Sequence, residues 1–388
     1  MKTRKIASIA FASIPASGTR ASAFSELRII AVNLEDLTKR QSSWARGNGP
    51  DSDVVISSRI RLARNVAGYP FVNAASDVDL KSVVNAISEV AEQTLPAGSF
   101  EILDFANLSR EDAELLVERR LASVEFVESA KPRALILDDN ESFSAMINEE
   151  DHLRLQAVAS GFRLSELWRK VDALDDLFES RLSYAFDEKF GYLTACPTNV
   201  GTGLRAGIMF HLPGLVETNE IQKVLLSLKK MNFAVRGIYG EGTLPLGELF
   251  QASNQNALGI SEKDAIRQLE EIATSVVNYE RRARETILEK DRDGLLDRCY
   301  RALAILRSAR LATLQEAMER LSSLRLGVQM NLLDDATPEL IDDLIMRIQP
   351  IHLRKLFESR GEPFDDDDAA RADYLRERLA GVGGARPR

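Results

Sequence analysis

Histidine and cysteine are scarce, with three of the first and two of the second in a chain of 388 residues. His152, His211 and His352 do not fall at zinc-ligand spacing, so no metal site is expected from them. Cys196 and Cys299 stand too far apart to give a disulfide framework, which points to a reducing compartment. No apolar run approaches the roughly twenty residues that a membrane-crossing helix requires. An excess of positive charge is also missing: the formal net charge is −9, which argues against general affinity for nucleic acid and makes the arginines local in purpose. No internal repeat is evident. What remains is an ordinary globular composition, 45% hydrophobic and 28% charged, long enough for two domains.

Lys2, Arg4 and Lys5 precede the weakly apolar Ile6 to Ile14, with Ala21-Ser22-Ala23 further on, in the manner of a signal peptide. Pro15 and Arg20 interrupt that pattern. Residues 1–32 are expected to be a disordered extension or an upstream start-codon assignment, with secretion as the other reading.

The most informative stretch runs from Cys196 to Gly207, where a cysteine, a glycine-rich turn and Arg205 fall close together. Glycines let backbone turn tightly against a ligand, arginine offers a planar fork of donors to phosphate, and a cysteine among cations can serve as a thiolate. It is no Walker loop, because no Gly-Lys-Ser/Thr follows. In a second segment, Ser57 to Asn65, Arg59 and Arg61 are one residue apart, so on a strand both project from the same face. An anion such as a triphosphate would sit between them, although a solvated basic strand reads equally well. A third segment, Met146 to Arg154, runs from an alternating strand pattern into Glu149, Glu150 and Asp151. Taken alone, it is most simply a solvated turn. The fourth, Arg236 to Gly242, carries Arg236 and Glu241 among three glycines, like a closing lid or a plain surface hairpin.

In this order the four segments resemble the ATP:guanidino phosphotransferase family, which includes the creatine and arginine kinases, and most closely its bacterial protein arginine kinases. The resemblance runs from about Asn33 to the C-terminus. It implies transfer of the ATP γ-phosphoryl group to arginine side chains of proteins, with ATP and Mg²⁺ required. A guanidinium group is a poor nucleophile that stays protonated, so something must orient it and take a proton. The resemblance gives that task to Glu150 and Glu241, with Cys196 beside the guanidinium. It assigns the phosphates to Arg59, Arg61, Arg154, Arg205 and Arg236, with Ser58 at the head of the first motif. Mg²⁺ would be held mainly by nucleotide oxygens and water.

Two departures accompany the match. Met209 stands where the small-substrate members have a histidine, and His211 is out of register. Asp367-Asp368-Ala369-Ala370-Arg371-Ala372 stands where the protein arginine kinases carry Arg-Asp-x-x-Arg-Ala for phosphoarginine, which reverses the first charge. About fifty residues precede the first motif, too few for the helical N-terminal domain of the phosphagen kinases, and the extra helices follow the catalytic motifs instead. The resemblance further implies a cytoplasmic protein, homodimerisation through the C-terminal domain, a Clp-type protease that reads the mark, and a zinc-containing activator protein. A kinase acting on a small guanidino substrate, and a catalytically silent arginine- or phosphoarginine-binding adaptor, are the other readings.

Periodicity predicts helices over Asp79 to Gln93, Ser109 to Ala122 (with Ser109 and Asp112 as a capping pair), Leu164 to Tyr184 and Ile221 to Met231. Strands are expected over Arg133 to Leu137, Ser142 to Ile147, Tyr192 to Ala195 and Phe233 to Ile238. From Glu262 long helices take over: Glu262 to Lys290, Gly294 to Ala309, Thr313 to Leu326 and Pro338 to Ile348. The Asp365 to Asp368 run reads as a loop, followed by a frayed tail. The expected class is therefore α+β: a largely antiparallel sheet flanked by helices over 33–282, then an all-helical domain over 283–388, with the boundary near Arg282 to Lys290. His152 reads as a structural histidine, Cys299 as a small buried side chain, and Trp44 and Trp168 as packing residues.

Overall fold

The computed structural model describes residues 34–237, 245–333 and 335–383. The expectations for 1–32, for Glu241, for the strand end at Ile238 and for the last five residues lie outside the described residues.

Ten strands form among the described residues: β1 (Val55–Arg64), β2 (Phe100–Asp104), β3 (Ala134–Asp138), β4 (Phe143–Ile147), β5 (Leu153–Ser160), β6 (Phe186–Asp187), β7 (Gly191–Tyr192), β8 (Leu204–His211), β9 (Phe233–Gly237) and β10 (Leu249–Asn254). Eight of them make one sheet in the order β2-β3-β4-β5-β1-β8-β10-β9. Every neighbouring pair is antiparallel. β6 and β7 form a separate hairpin. Alternation along β1 decides its two faces: Ile60 and Leu62 are buried on one, and Arg59 and Arg61 are half-buried on the other.

The helices before the change of pattern are α1 (Leu34–Lys39), α2 (Asp77–Thr94), α3 (Arg110–Glu118), α4 (Val124–Glu128), α5 (Leu164–Glu179), α6 (Pro213–Glu217), α7 (Ile221–Lys230) and α8 (Glu262–Lys290). Side-chain oxygens start several of them by taking otherwise unpaired N–H groups. Ser76 and Asp79 complete both halves of a capping box on α2, and the Ser109 hydroxyl accepts from Asp112 N at 3.1 Å on α3. α5 buries Leu164, Leu167, Val171 and Phe178 against the apolar side of the sheet. It stops at Glu179 rather than Tyr184.

The C-terminal part adds α9 (Arg292–Ser308), α10 (Leu314–Gln329), α11 (Pro338–Arg347), α12 (Pro350–Arg360) and α13 (Asp367–Leu379). Their apolar faces form a second core that takes in Ile56, Val158, Met209 and Leu249 from the sheet and Trp44 from the segment before β1. The helical domain thus covers one end of the arginine-bearing face. α8 is continuous through Arg282 to Lys290, contributing Val276 and Ala283 to the first core and Ile287 to the second, so no linker separates the two parts. Buried Arg325 ties them further: it donates to Asp342 Oδ1 at 2.7 Å and to the carbonyls of Ser52 and Asp53 at 2.6 and 3.0 Å.

The acidic run differs from expectation. Asp366 caps α13 by accepting from Asp368 N and Ala369 N, each at 2.9 Å, and the helix buries Tyr374, Leu375 and Leu379. Four consecutive carboxylates hid a helix start, because acids in the first turn meet the positive end of the helix dipole.

Candidate active site

Residues opposite one another in an antiparallel pair share a face. Arg61 lies opposite Gln156 on β5 and Arg205 on β8, Ala63 opposite Arg154, and Arg59 opposite Gly207. Across the next strands Met209 pairs with Gln251 and Gln251 with Arg236. The alternation then puts Arg59, Arg61, Arg154, Arg205 and Arg236 on one face of five adjacent strands. Gly207 contributes no side chain beside Arg59, which leaves the floor low there. Among the described residues neither Arg59 nor Arg61 makes an ion pair, and Arg61 Nε is buried without a hydrogen-bond acceptor.

The acids come from the turn between β4 and β5. Asn148 enters it at φ +62°, a conformation asparagine tolerates, and its amide donates to the carbonyls of Leu80 and Pro132 at 2.9 Å. The three carboxylates have separate tasks. Glu149 pairs with Arg154 at 2.5 Å and accepts from Ser123 Oγ at 2.7 Å. Asp151 accepts from Asn65 Nδ2 at 2.6 Å and from Ala195 N at 2.7 Å, pinning the approach to the cysteine loop. Glu150, exposed as a residue with its carboxyl partly covered, makes no such anchor and lies beside the Cys196 side chain. His152 is structural as expected. Its Nδ1 accepts from Val66 N at 3.0 Å, so its proton sits on Nε2, which donates to the Pro70 carbonyl at 2.9 Å.

The segment expected as a strand over Tyr192 to Ala195 pairs only at its start and then becomes the cysteine loop. Its glycines are needed for close approach: a Cβ at Gly203 would lie 2.5 Å from the Ala63 carbonyl oxygen, and one at Gly201 would lie 2.4 Å from that of Ala257. The turn carries Cys196, half-buried, with Sγ 3.1 Å from Thr198 Oγ1. Arg205 Nη1 donates to the Asn254 carbonyl at 3.3 Å and Nη2 to Asn199 Oδ1 at 3.4 Å, which aims the guanidinium toward the loop.

These groups perturb one another. Burial, and then the charges of Arg120, Arg154, Arg205 and Arg236, push the Arg59 pKa down to about 9. Arg61 is pushed well down by burial and by Arg59, Arg154 and Arg205. Arg205 is lowered by burial, Arg154 and Arg236, while Cys196 and Glu150 act the other way. Burial lowers Arg154 too, but the Glu149 carboxylate outweighs it and the net direction is upward. Glu150 is raised by burial and by Asp151 and Glu149, against Arg154 and the Cys196 hydrogen bond. A strongly cationic floor therefore meets one available carboxylate at its rim. The floor suits a polyphosphate, and the carboxylate beside a cysteine suits a cation with protons to lose.

Ser58 does not join them. It faces the opposite side of β1, fully buried, where its Oγ donates to the Gly161 carbonyl at 2.8 Å and accepts from Arg163 N at 3.0 Å. Ser58→Ala is expected to cost about 1–3 kcal/mol in chemical unfolding and to leave the KM for nucleotide unchanged. Arg120 was not found from sequence; it follows α3 at φ +63° and stands 4.3 Å over the Trp44 ring. Met209 packs in the second core, and His211 is held between Ser322 Oγ at 2.7 Å and Arg325 at 3.2 Å, so neither lines the cleft. In the C-terminal motif, Arg371 is buried and committed to the carbonyls of Ile348 and Ala312 at 3.0 and 2.8 Å and to Asp368 at 2.7 Å.

Comparison with known proteins gives two family matches: ATP:guanido phosphotransferase, C-terminal catalytic domain, over residues 81–283, and Protein-arginine kinase McsB C-terminal domain, over residues 292–387. The chain is 42% identical over 340 residues to a protein-arginine kinase of Brevibacillus brevis, covering 87% of this chain and 95% of that one. It is 42% identical over 355 residues to a protein-arginine kinase of Moorella thermoacetica, covering 91% and 100%. Among solved structures, lombricine kinase aligns with a TM-score of 0.54 at 21% identity, covering 63% of this chain and 70% of that one. The substrate-free duplicated taurocyamine kinase from Schistosoma mansoni aligns with a TM-score of 0.53 at 21% identity, covering 71% and 42%. These two likenesses are of fold.

Proposed function

This chain belongs to the ATP:guanido phosphotransferase family, and on that premise we propose that it is a protein-arginine kinase, moving the γ-phosphoryl group of ATP to arginine side chains of proteins. The observation that carries the mechanism is that Asp151 accepts from Ala195 N at 2.7 Å, which sets the Glu150 turn against the Cys196 loop at the edge of the arginine floor.

On this reading the nucleotide phosphates lie along Arg59, Arg61, Arg154, Arg205 and Arg236, whose mutual repulsion they relieve. Charge that develops on the transferring group is met by donors already fixed in place, so little reorganisation is needed. Glu150 grips a guanidinium nitrogen of the incoming arginine and accepts its proton as the N–P bond forms and the P–O bond to the leaving ADP breaks. Cys196 helps orient the same guanidinium without forming a covalent intermediate. Glu241 is the family's second carboxylate for that grip. Mg²⁺ would be held mainly by nucleotide oxygens and water and would supply charge neutralisation there.

The names of the relatives and the match to the protein-arginine kinase C-terminal domain favour a protein substrate over a small guanidine. The same reading extends to a cytoplasmic setting, dimerisation through the helical domain, a zinc-containing activator protein and delivery of marked proteins to a Clp-type protease. No described helix is long and apolar enough to cross a membrane. Incubation with Mg-ATP and an unfolded or basic protein, followed by mass spectrometry under non-acidic conditions, is expected to find acid-labile phosphate on arginine. Label on free arginine alone would identify a phosphagen-type kinase, and nucleotide binding without transfer an adaptor.

A further inference from the structure

The β6–β7 hairpin, which the mechanism does not use, presents Phe186 and Phe190 at 52% and 44% exposure. Leu258, in the segment packed against the same loop, is 53% exposed. These side chains sit on backbone that is tightly joined. A Cβ at Gly191 would meet the Gly201 carbonyl oxygen at 2.6 Å, and one at Gly201 would meet Leu258 Cα at 2.8 Å. Three large exposed apolar side chains thus stand on segments whose backbones are joined through Gly191 and Gly201, a closer grouping than the scattered single exposure normal for a surface.

The patch is rigid and belongs to the same structural unit as the cysteine loop. Asp187 Oδ1 accepts from Lys189 N and Phe190 N at 2.8 and 3.0 Å, fixing the hairpin turn. Phe186 packs edge-on against Tyr192, and Tyr192 in turn lies 3.6 Å from the Arg64 guanidinium carbon. Ala185 N donates to the Asn65 carbonyl at 2.8 Å, and Tyr192 N to the Gly201 carbonyl at 2.8 Å, so both ends of the hairpin are tied to the site. The Phe186 ring contacts Tyr192 along one edge only, and about half of each phenylalanine stays exposed. Held rigid, they would bind a partner with little ordering cost.

We propose that Phe186 and Phe190, with Leu258, form a docking surface for the polypeptide that flanks the target arginine, and that they select segments carrying apolar side chains near it. This inference rests on the protein-arginine kinase reading. An arginine that reaches Glu150 and Cys196 leaves its own backbone outside, and the chain on either side must cross the adjoining surface. Phe190 precedes Cys196 by six residues in the sequence, so the two lie at most about 20 Å apart and a flank of up to about six extended residues spans the interval. Apolar side chains next to an accessible arginine describe an unfolded segment, because folding would bury them.

The test uses the purified full chain with Mg-ATP and two peptides of equal length, each with one arginine, flanked by Leu and Phe in one and by Ser and Gly in the other. The wild type is expected to phosphorylate the apolar-flanked peptide with a kcat/KM roughly tenfold higher, the effect of burying ~60 Å² of apolar surface, expressed in KM. The Phe186→Ser, Phe190→Ser double variant is expected to bring the two peptides within about twofold of each other while the KM for ATP stays unchanged. Phe186→Leu with Phe190→Leu is expected to keep the preference, which separates apolar docking from loss of fold. Equal rates on both peptides with the wild type, or a preference that survives the double serine variant, would overturn this inference alone. Phosphorylation of free arginine with neither peptide labelled would overturn the kinase reading, and the inference with it.

Discussion

Glu150→Gln is expected to lower kcat by about 10²–10⁴-fold, the usual contribution of a positioned general base, with the KM for ATP changed less than about twofold. The structure gives this substitution unusual selectivity. Glu149 is committed to Arg154 and Ser123, and Asp151 to Asn65 and Ala195, so both hold the site together. Glu150 makes no such anchor. The amide keeps its shape and its contact to Cys196 but cannot take a proton. The pH dependence follows from the direction of the shift. Burial, Asp151 and Glu149 hold the Glu150 carboxyl above its ordinary value, and the base acts only when ionised. The wild-type rate should therefore fall as pH drops through that raised pKa, and the residual rate of the variant should lack this limb. Phosphoarginine formation measured against pH for both proteins checks the assignment, and a Glu150→Gln enzyme within tenfold of the wild type would refute it.

Much of this site was legible in the sequence because its residues sit on regular elements. Arg59 and Arg61 follow the two-residue period of β1, and alternation alone places them together. The carboxylates follow β4 directly, so one turn determines all three. What sequence could not supply is the division of labour among Glu149, Glu150 and Asp151, which depends on Arg154, Asn65 and Ala195 arriving from elsewhere. Ser58 was misplaced for a related reason: it shares a motif with Arg59 but takes the opposite face, where Gly161 and Arg163 consume its hydroxyl. Arg120 carried no signal, since its role comes from a positive-φ turn after α3 and from Trp44 beneath it. β10 and α13 were missed because Leu249–Asn254 is short and half polar, and Asp366 to Asp368 disguised a cap.

The arginine floor leads to the second large effect: Arg59→Met with Arg61→Met is expected to make the protein more stable while abolishing nucleotide binding. Both guanidinium groups are half-buried without an ion-pair partner among the described residues. Burial and four neighbouring arginines push the Arg59 pKa down to about 9. A depressed pKa in a base means that its charged form is penalised in the fold. The penalty is present in full below pH 9 and is relieved as pH rises past it, so near neutrality the unliganded protein carries all of it. Each pKa unit corresponds to about 1.4 kcal/mol, and even after a generous discount for solvent screening about 2 kcal/mol should return on neutralisation. At roughly 1–1.5 °C per kcal/mol for a chain of this length, the unliganded variant should melt about two or three degrees above the wild type. Adding ATP or inorganic tripolyphosphate should invert the order. A ligand at a hundredfold excess over its Kd stabilises the wild type by about 2.7 kcal/mol, whereas the variant, having lost the two donors at the centre of the floor, should not respond. Melting curves of both proteins with and without tripolyphosphate test this directly. A variant that melts below the wild type without anion would mean that the arginines are structural rather than held in readiness for phosphate. The expected inversion would show that repulsion stored in the empty cleft is released on binding the nucleotide, and that the attraction of the site for a polyanion is maintained at the expense of fold stability.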